Sequence, residues 1–181
     1  MWKFLVPIAA FVGLAALFAF GLNPNRDLHA LPSPLVGKAA PKFALQDVID
    51  PNREVSNASL AGQIYVFNVW ATWCSGCRQE HETLLEIAQQ HVVPIVGLDW
   101  NDDRGKAAQW LQQLGNPYQG VGFDKEGRTA IDWGVYGAPE TFLVDAQGHV
   151  LFKHIAPMTL EVWQDEFLPR IEAARRRQGG A

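Results

Sequence analysis

Hydrophobic and polar positions divide the chain into three kinds of stretch. From Phe4 to Leu22 there are 19 residues without a charge, which at about 1.5 Å per residue nearly cover a hydrocarbon core about 30 Å thick. One transmembrane helix is predicted there, within an anchor segment 1–22. The competing reading is a cleaved signal peptide, whose apolar region is usually about 7–15 residues and ends in a small-x-small site. Only Ala19-Phe20-Gly21 offers such a site. Lys3 and the amino terminus favour an inside N-terminus, against which Arg26 weighs on the far side. Periodicity then vanishes: Pro24, Pro32, Pro34, Gly37 and Pro41 mark a spacer, placed at 23–36, that lifts a domain off the bilayer.

The third stretch, 37–177, alternates buried runs with amphipathic ones, ahead of a tail at 178–181. Ile64 to Trp70 is almost continuously apolar, as expected of a central strand covered on both faces. A helix follows, polar from Arg78 to Glu82, with Leu84, Leu85, Ile87 and Ala88 as its apolar face. Val92 to Leu98 reads as the next strand, although Pro94 argues against a central position. Asn101 and Asp102 are candidate caps for a helix with Ala107, Trp110, Leu111 and Leu114 on one stripe and Gly115 as its stop. Tyr118–Phe123 is a further strand and Lys125–Trp133 a further helix. Thr141–Val144 and Val150–Lys153 flank Asp145-Ala146-Gln147-Gly148 as a hairpin. A last helix from Leu160 turns Leu160, Trp163, Phe167 and Ile171 inward, with Pro169 bending it. The β-α-β-α order predicts an α/β domain.

Composition narrows the function. Apolar residues are 48% and charged residues 19% of 181, the balance of one globular core. Of 15 Lys and Arg only Lys3 precedes Asn23, whereas all 19 Asp and Glu follow it. The domain is therefore acidic, which excludes nucleic acid as an expected partner. Arg175-Arg176-Arg177 reads as a solvated helix end.

The candidate chemistry lies in the chain's two cysteines, Cys74 and Cys77, where a strand gives way to a helix. Residues three apart on a helical turn lie about 5–6 Å apart, within disulfide range. At the helix start, Cys74 faces unpaired N–H groups that lower a thiol's pKa below about 8.5, while Cys77 lies one turn in and more shielded. An exposed thiolate that attacks and a protected partner that resolves are what exchange needs. A structural staple closing so short a loop contributes only about 2 kcal/mol. A zinc site would need more ligands, and His81, expected to be partly exposed on its helix, is the one candidate nearby. Neither a metal nor a cofactor is expected beyond the Cys74–Cys77 couple. His29, His91, His149 and His154 form no spaced cluster.

Beyond the cysteines, Asn68 to Cys74, Arg78 to His81, Asn101-Asp102-Asp103, Leu114 to Tyr118 and Gly134-Val135-Tyr136-Gly137-Ala138-Pro139-Glu140-Thr141 together resemble the DsbE/CcmG family, the membrane-anchored thioredoxin-like proteins of bacterial cytochrome c maturation. Pro41 to Leu45 is also similar to the opening of redoxin-type domains. The resemblance runs from about Gly37 to Leu168. It implies a thioredoxin-like fold with a central insertion, held at the bacterial inner membrane with its soluble domain in the periplasm. It further implies reduction of disulfides in apocytochrome c or cytochrome c maturation proteins, with electrons from a membrane thiol donor. By the same resemblance Pro139 is the cis-proline facing the cysteines, and Trp73, Glu80, Ala138 and Glu140 surround the site. Read alone, Glu80 would be an exposed helix carboxylate. One departure is Ser75-Gly76, where many members carry a Pro. Two other readings stay open: a membrane-anchored thioredoxin-like reductase with other clients, and a thiol-independent binding module for apocytochrome or haem.

Overall fold

The computed structural model describes residues 2–21 and 33–179, without the side chains of Lys3, Ala16, Ala19 and Phe20. The chain falls into two units, Met1–Leu31 and Pro32–Ala181. The first contains α1, Trp2–Gly21, whose described side chains are exposed. Among the described residues no helix is long and apolar enough to cross a membrane; the continuous run of described side chains in α1 is Phe4 to Ala15. The spacer predicted from Asn23 lies outside the described residues as far as Pro32.

In the second unit the chain is already docked ahead of Gly37. Val36 bridges Val150, and Gly37 donates its N–H to the Val150 carbonyl at 2.8 Å. A small antiparallel pair follows, β1 (Ala44–Gln46) with β2 (Glu54–Ser56). The main sheet contains β3 (Tyr65–Trp70), β4 (Ile95–Trp100), β5 (Gly120–Asp124), β6 (Glu140–Val144) and β7 (Val150–His154), in the order β5-β4-β3-β6-β7. β3, β4 and β5 are parallel, whereas β6 and β7 run antiparallel to their neighbours. Parallel neighbours need crossovers, and helices supply them: α2 (Ser75–Gln89) and α3 (Arg104–Leu114). After β5 comes the short α4 (Arg128–Asp132).

Every residue of β3 is buried, and its side chains alternate between two apolar layers. Val66 and Trp70 pack with Leu84, Ile87 and Trp110 from the helices, while Phe67 and Val69 pack with Phe43, Trp133 and Phe142 on the other face. This two-sided cover is the expected thioredoxin-like α/β architecture. The period also aims Asn68, between Val66 and Trp70, at the α2 side.

Three local expectations change. β4 lies inside the sheet because Pro94 precedes it; the missing N–H falls outside the ladder, and the Pro94 carbonyl accepts the Val66 N–H at 3.0 Å. The cap of α3 is Asp103, whose carboxylate accepts the Lys106 N–H at 3.0 Å, because Asn101 turns through a left-handed conformation (φ 49°) and shifts the helix start. The last helix is α5 (Leu160–Val162), a π turn over Trp163–Phe167, and α6 (Leu168–Gly179). The ring of Pro169 would clash with the carbonyl four residues earlier, and the widened turn accommodates it. Trp163, Phe167 and Ile171 remain buried. α6 continues into the predicted tail, of which Gly180 and Ala181 lie outside the described residues.

Candidate active site

Cys74 and Cys77 form a disulfide, with S–S 2.06 Å and Cα atoms 5.3 Å apart, at the C-terminal end of central strand β3. Cys74 is the N-cap of α2, and the Cys77 N–H points at its Sγ, 3.0 Å away. A free N–H in the first helical turn stabilises charge on that sulfur once the bond is reduced. The expected difference in exposure is absent: Cys74 is 5% exposed and Cys77 3%. Both belong to an apolar cluster with Met158, against which Ala138 packs. Inequality between the thiols therefore rests on the helix terminus rather than on solvent access.

Gly76 explains part of this cover. A Cβ added there would lie 2.9 Å from Pro139 Cδ and 3.4 Å from Pro157 Cγ, so both prolines close on the first turn of α2. The Ala138–Pro139 peptide is cis. Trp73, beside Cys74, is 55% exposed; its indole N–H donates to the Asn101 carbonyl at 3.1 Å, and its ring meets Trp100 edge-on.

Directly beneath the helix lies a polar chain. Glu80 is 1% exposed, not on the surface as its residue type alone suggests, because the inward-facing side of α2 begins one turn before its apolar residues. The Asn68 amide donates to Glu80 Oε1 at 2.9 Å and to Thr141 Oγ1 at 3.0 Å, Tyr118 donates to Asn68 Oδ1 at 2.8 Å, and the Met158 N–H reaches Glu80 Oε2 at 2.7 Å. Burial pushes the Glu80 carboxyl up to about 7, against the pull of the Met158 and Asn68 donors. Tyr118 is also raised, by burial first and then by Glu80 and Asp99.

Glu140 faces a different duty. It is fully buried, 2.9 Å from Lys153 Nζ, and accepts the Tyr136 N–H at 2.8 Å and the Gly137 N–H at 3.3 Å. These bonds hold the loop that leads into Ala138 and Pro139, with Lys153 also donating to the Gly134 carbonyl. Structure thus gives Glu140 a loop-holding part and places Glu80 on α2 three residues past Cys77, bonded to Asn68 and Met158.

His81 is buried at 4% exposure, correcting the expectation of a partly exposed residue. Its Nδ1 accepts the Trp110 indole N–H at 3.2 Å and its Nε2 lies 3.1 Å from the Gly115 carbonyl. With one nitrogen accepting and the other facing a carbonyl, the ring is neutral with its proton on Nε2, and burial lowers its pKa. Among the described residues no His, Cys, Asp or Glu group is arranged to hold a metal ion.

Sequence reasoning missed Asn68, Tyr118, Thr141 and Met158 as supports of the site. Asn68 carried a signal: an amide in an otherwise apolar run must find buried partners.

The chain matches the Redoxin family over residues 35–166. It is 46% identical to the thiol:disulfide interchange protein DsbE of Allochromatium vinosum, over 97% of this chain and 94% of that protein. The protein of the same name from Vibrio cholerae is 44% identical, over 92% of each. Among solved structures, a thiol:disulfide interchange protein of the thioredoxin family from Chlorobium tepidum superposes with a TM-score of 0.60 at 26% identity, covering 75% of this chain and 94% of that one.

Proposed function

Because the chain belongs to the DsbE thiol:disulfide interchange proteins, within the Redoxin family, we propose that it is the periplasmic reductant of a cytochrome c maturation system. Its activity is thiol:disulfide oxidoreduction. The observation that carries the reading is the Cys74–Cys77 disulfide at the N-terminus of α2, with the Cys77 N–H directed at Cys74 Sγ. In the reduced protein the Cys74 thiolate attacks one sulfur of a client disulfide, forming a mixed disulfide and releasing the other client sulfur as a thiolate. Cys77, deprotonated, then attacks Cys74 Sγ; the second client thiolate leaves and the Cys74–Cys77 bond closes. Two electrons pass to the client, whose sulfurs take up two protons. A dithiol donor in the membrane restores the reduced pair by the reverse exchange.

Apocytochrome c or another cytochrome c maturation protein is the proposed client, supported by the DsbE relatives and by the Gly134–Thr141 block. We assign α1 as an anchor in the bacterial inner membrane, supported by the uncharged run from Phe4 to Leu22 and by its helical conformation. The reduction potential of the couple tests the direction of transfer. A value near or below about −200 mV fits a reductant, and one near about −120 mV overturns it in favour of disulfide donation. Retention of full-length protein in membranes through carbonate washing tests the anchor, which a mature N-terminus near Leu22 would refute.

A further inference from the structure

We propose that Asp99 and Asp102 share one proton and act as positioning residues that hold the Thr72–Cys74 turn in place for thiol exchange. This deepens the redox reading above and rests on it.

Asp99 is the next-to-last residue of β4, paired in register with Trp70, the last residue of β3. The alternation that sends Val96 and Leu98 into the layer with Phe67 turns Asp99 to the opposite face, where Trp70 lies. Asp99 is fully buried, and neither carboxylate oxygen meets a donor among the described residues. A buried carboxylate without donors is costly by several kcal/mol unless it is neutral. Asp102, two residues beyond the end of β4, supplies the resolution, because a hydrogen bond between the two side chains is among the causes, after burial, that hold the Asp99 carboxyl raised. Two carboxylates offer only acceptors; one proton between them converts repulsion into a strong hydrogen bond.

The remaining capacity of Asp102 goes to the redox loop. Its Oδ2 accepts the Thr72 N–H, and its Oδ1 accepts the Thr72 hydroxyl at 2.8 Å and the Asp103 N–H at 2.7 Å. Thr72 precedes Cys74 by two residues, and the Cys74 N–H closes the turn on the Ala71 carbonyl at 3.2 Å. A path of direct contacts thus runs from the shared proton through Asp102 and Thr72 to the backbone that presents Cys74. The sequence had assigned Asp102 to a helix cap; α3 uses Asp103, leaving Asp102 for Thr72.

Other charges are accounted for. Asp102 and Asp103 raise the affinity of Asp99 for a proton, burial does so more strongly, and Arg104 opposes them, leaving its pKa pushed up to about 8. Tyr118 feels the Asp99 charge from the segment before β5. From β3 comes Trp70, whose indole N–H is without an acceptor among the described residues. Once Asp99 ionises, its charge stands buried without a proton to give Asp102, and the hydrogen bond that steadies Asp102 against Thr72 is lost.

The test uses full-length protein. In the oxidised state no thiol titrates, and the infrared C=O band of a protonated carboxyl at neutral pH, taken as wild type minus Asp99→Asn, isolates Asp99 from Glu80. Its presence is expected; no difference band overturns the shared proton whatever the redox activity. Exchange rates with a small disulfide, measured on the reduced forms, then test positioning. Asp99→Ala is expected to lower the rate about tenfold, the worth of one hydrogen bond to a charged group. Asp99→Asn, whose amide still donates to Asp102, is expected to restore it. The rate ratio of wild type to Asp99→Asn is expected to fall as pH rises through about 8, where Asp99 ionises. A flat ratio, or an Asp99→Asn variant as slow as Asp99→Ala, overturns the positioning role. Loss of exchange in all forms, wild type included, would instead overturn the redox reading itself.

Discussion

Replacing Glu80 by Gln removes a buried α2 carboxylate whose two oxygens each accept a hydrogen bond. Its carboxyl is raised from 4.5 to about 7, a displacement worth about 3 kcal/mol at about 1.4 kcal/mol per unit. With only 1% of the residue exposed, solvent screening takes little from that figure. The sign follows from linkage. A folded-state pKa above the unfolded one means that the native protein holds the proton more tightly, so this stability is fully present below pH 4.5 and is lost as pH rises through about 7. Gln has no proton to lose and shows no such decline. Its carboxamide has a single acceptor oxygen, so either the Met158 N–H or the Asn68 amide loses its partner, a pH-independent cost of about 1–3 kcal/mol.

The two stability curves should therefore be separated at pH 4 and converge or cross by pH 8. Urea unfolding of the oxidised proteins across that range measures this, since all other carboxyls cancel in the difference and the cysteines do not titrate. A wild-type minus variant difference that changes by less than about 1 kcal/mol would show that burial does not govern Glu80. In the reduced proteins a charged Glu80 opposes thiolate formation one turn from Cys77. Alkylation should accordingly reach its midpoint at lower pH in Glu80→Gln, and superimposable titrations would detach Glu80 from the thiols.

Other substitutions probe separate parts of the site. Cys74→Ser should abolish exchange while Cys77→Ser accumulates mixed disulfides with clients, visible on non-reducing gels; cytochrome assembly surviving loss of both cysteines would favour a thiol-independent binding module. Lys153→Met leaves the Glu140 carboxylate, 0% exposed, without the cation 2.9 Å away and should cost about 3–5 kcal/mol in urea unfolding; a loss below about 1 kcal/mol would show that this ion pair does not support the loop. Gly76→Ala should slow exchange and cost up to about 2 kcal/mol, the crowding of Pro139 less the gain in helix propensity; a variant more stable than wild type would show that the proline loop yields freely.

Much of the fold was legible because its signals are local. The run from Ile64 to Trp70 could only be a strand covered on both faces, and Asp145–Gly148 between two apolar runs marked the hairpin. Signals that depend on distant partners were not. The charge of Glu80 reads as surface until Asn68, on the strand below, and Met158, from beyond the sheet, are brought to it. His81 likewise looked half exposed because Trp110 and Gly115, which occupy its two nitrogens, arrive from α3 and its end. The position of Cys77 one turn into α2, by contrast, needed only the direction of that helix.

The dipeptide between the cysteines follows from a contest of magnitudes. Gly in a helix costs about 1 kcal/mol relative to Ala, which by itself argues against Gly76 in the first turn of α2. Packing argues the other way: a Cβ at this position meets Pro139 Cδ at 2.9 Å and Pro157 Cγ at 3.4 Å, and two rigid rings cannot swing aside as a flexible side chain would. Overpacking of this kind costs about 1–3 kcal/mol, so close approach of the prolines outweighs helix propensity. Ser75 is under no such constraint. It is exposed and opens the helix, where a Pro is tolerated because that N–H has no intrahelical partner. The Ser75-Gly76 dipeptide thus has two physical characters: Gly76 is favoured by the loops that close over the cysteines, whereas Ser75 is the position at which sequence can alter the peptide group beside Cys74 without disturbing the packing.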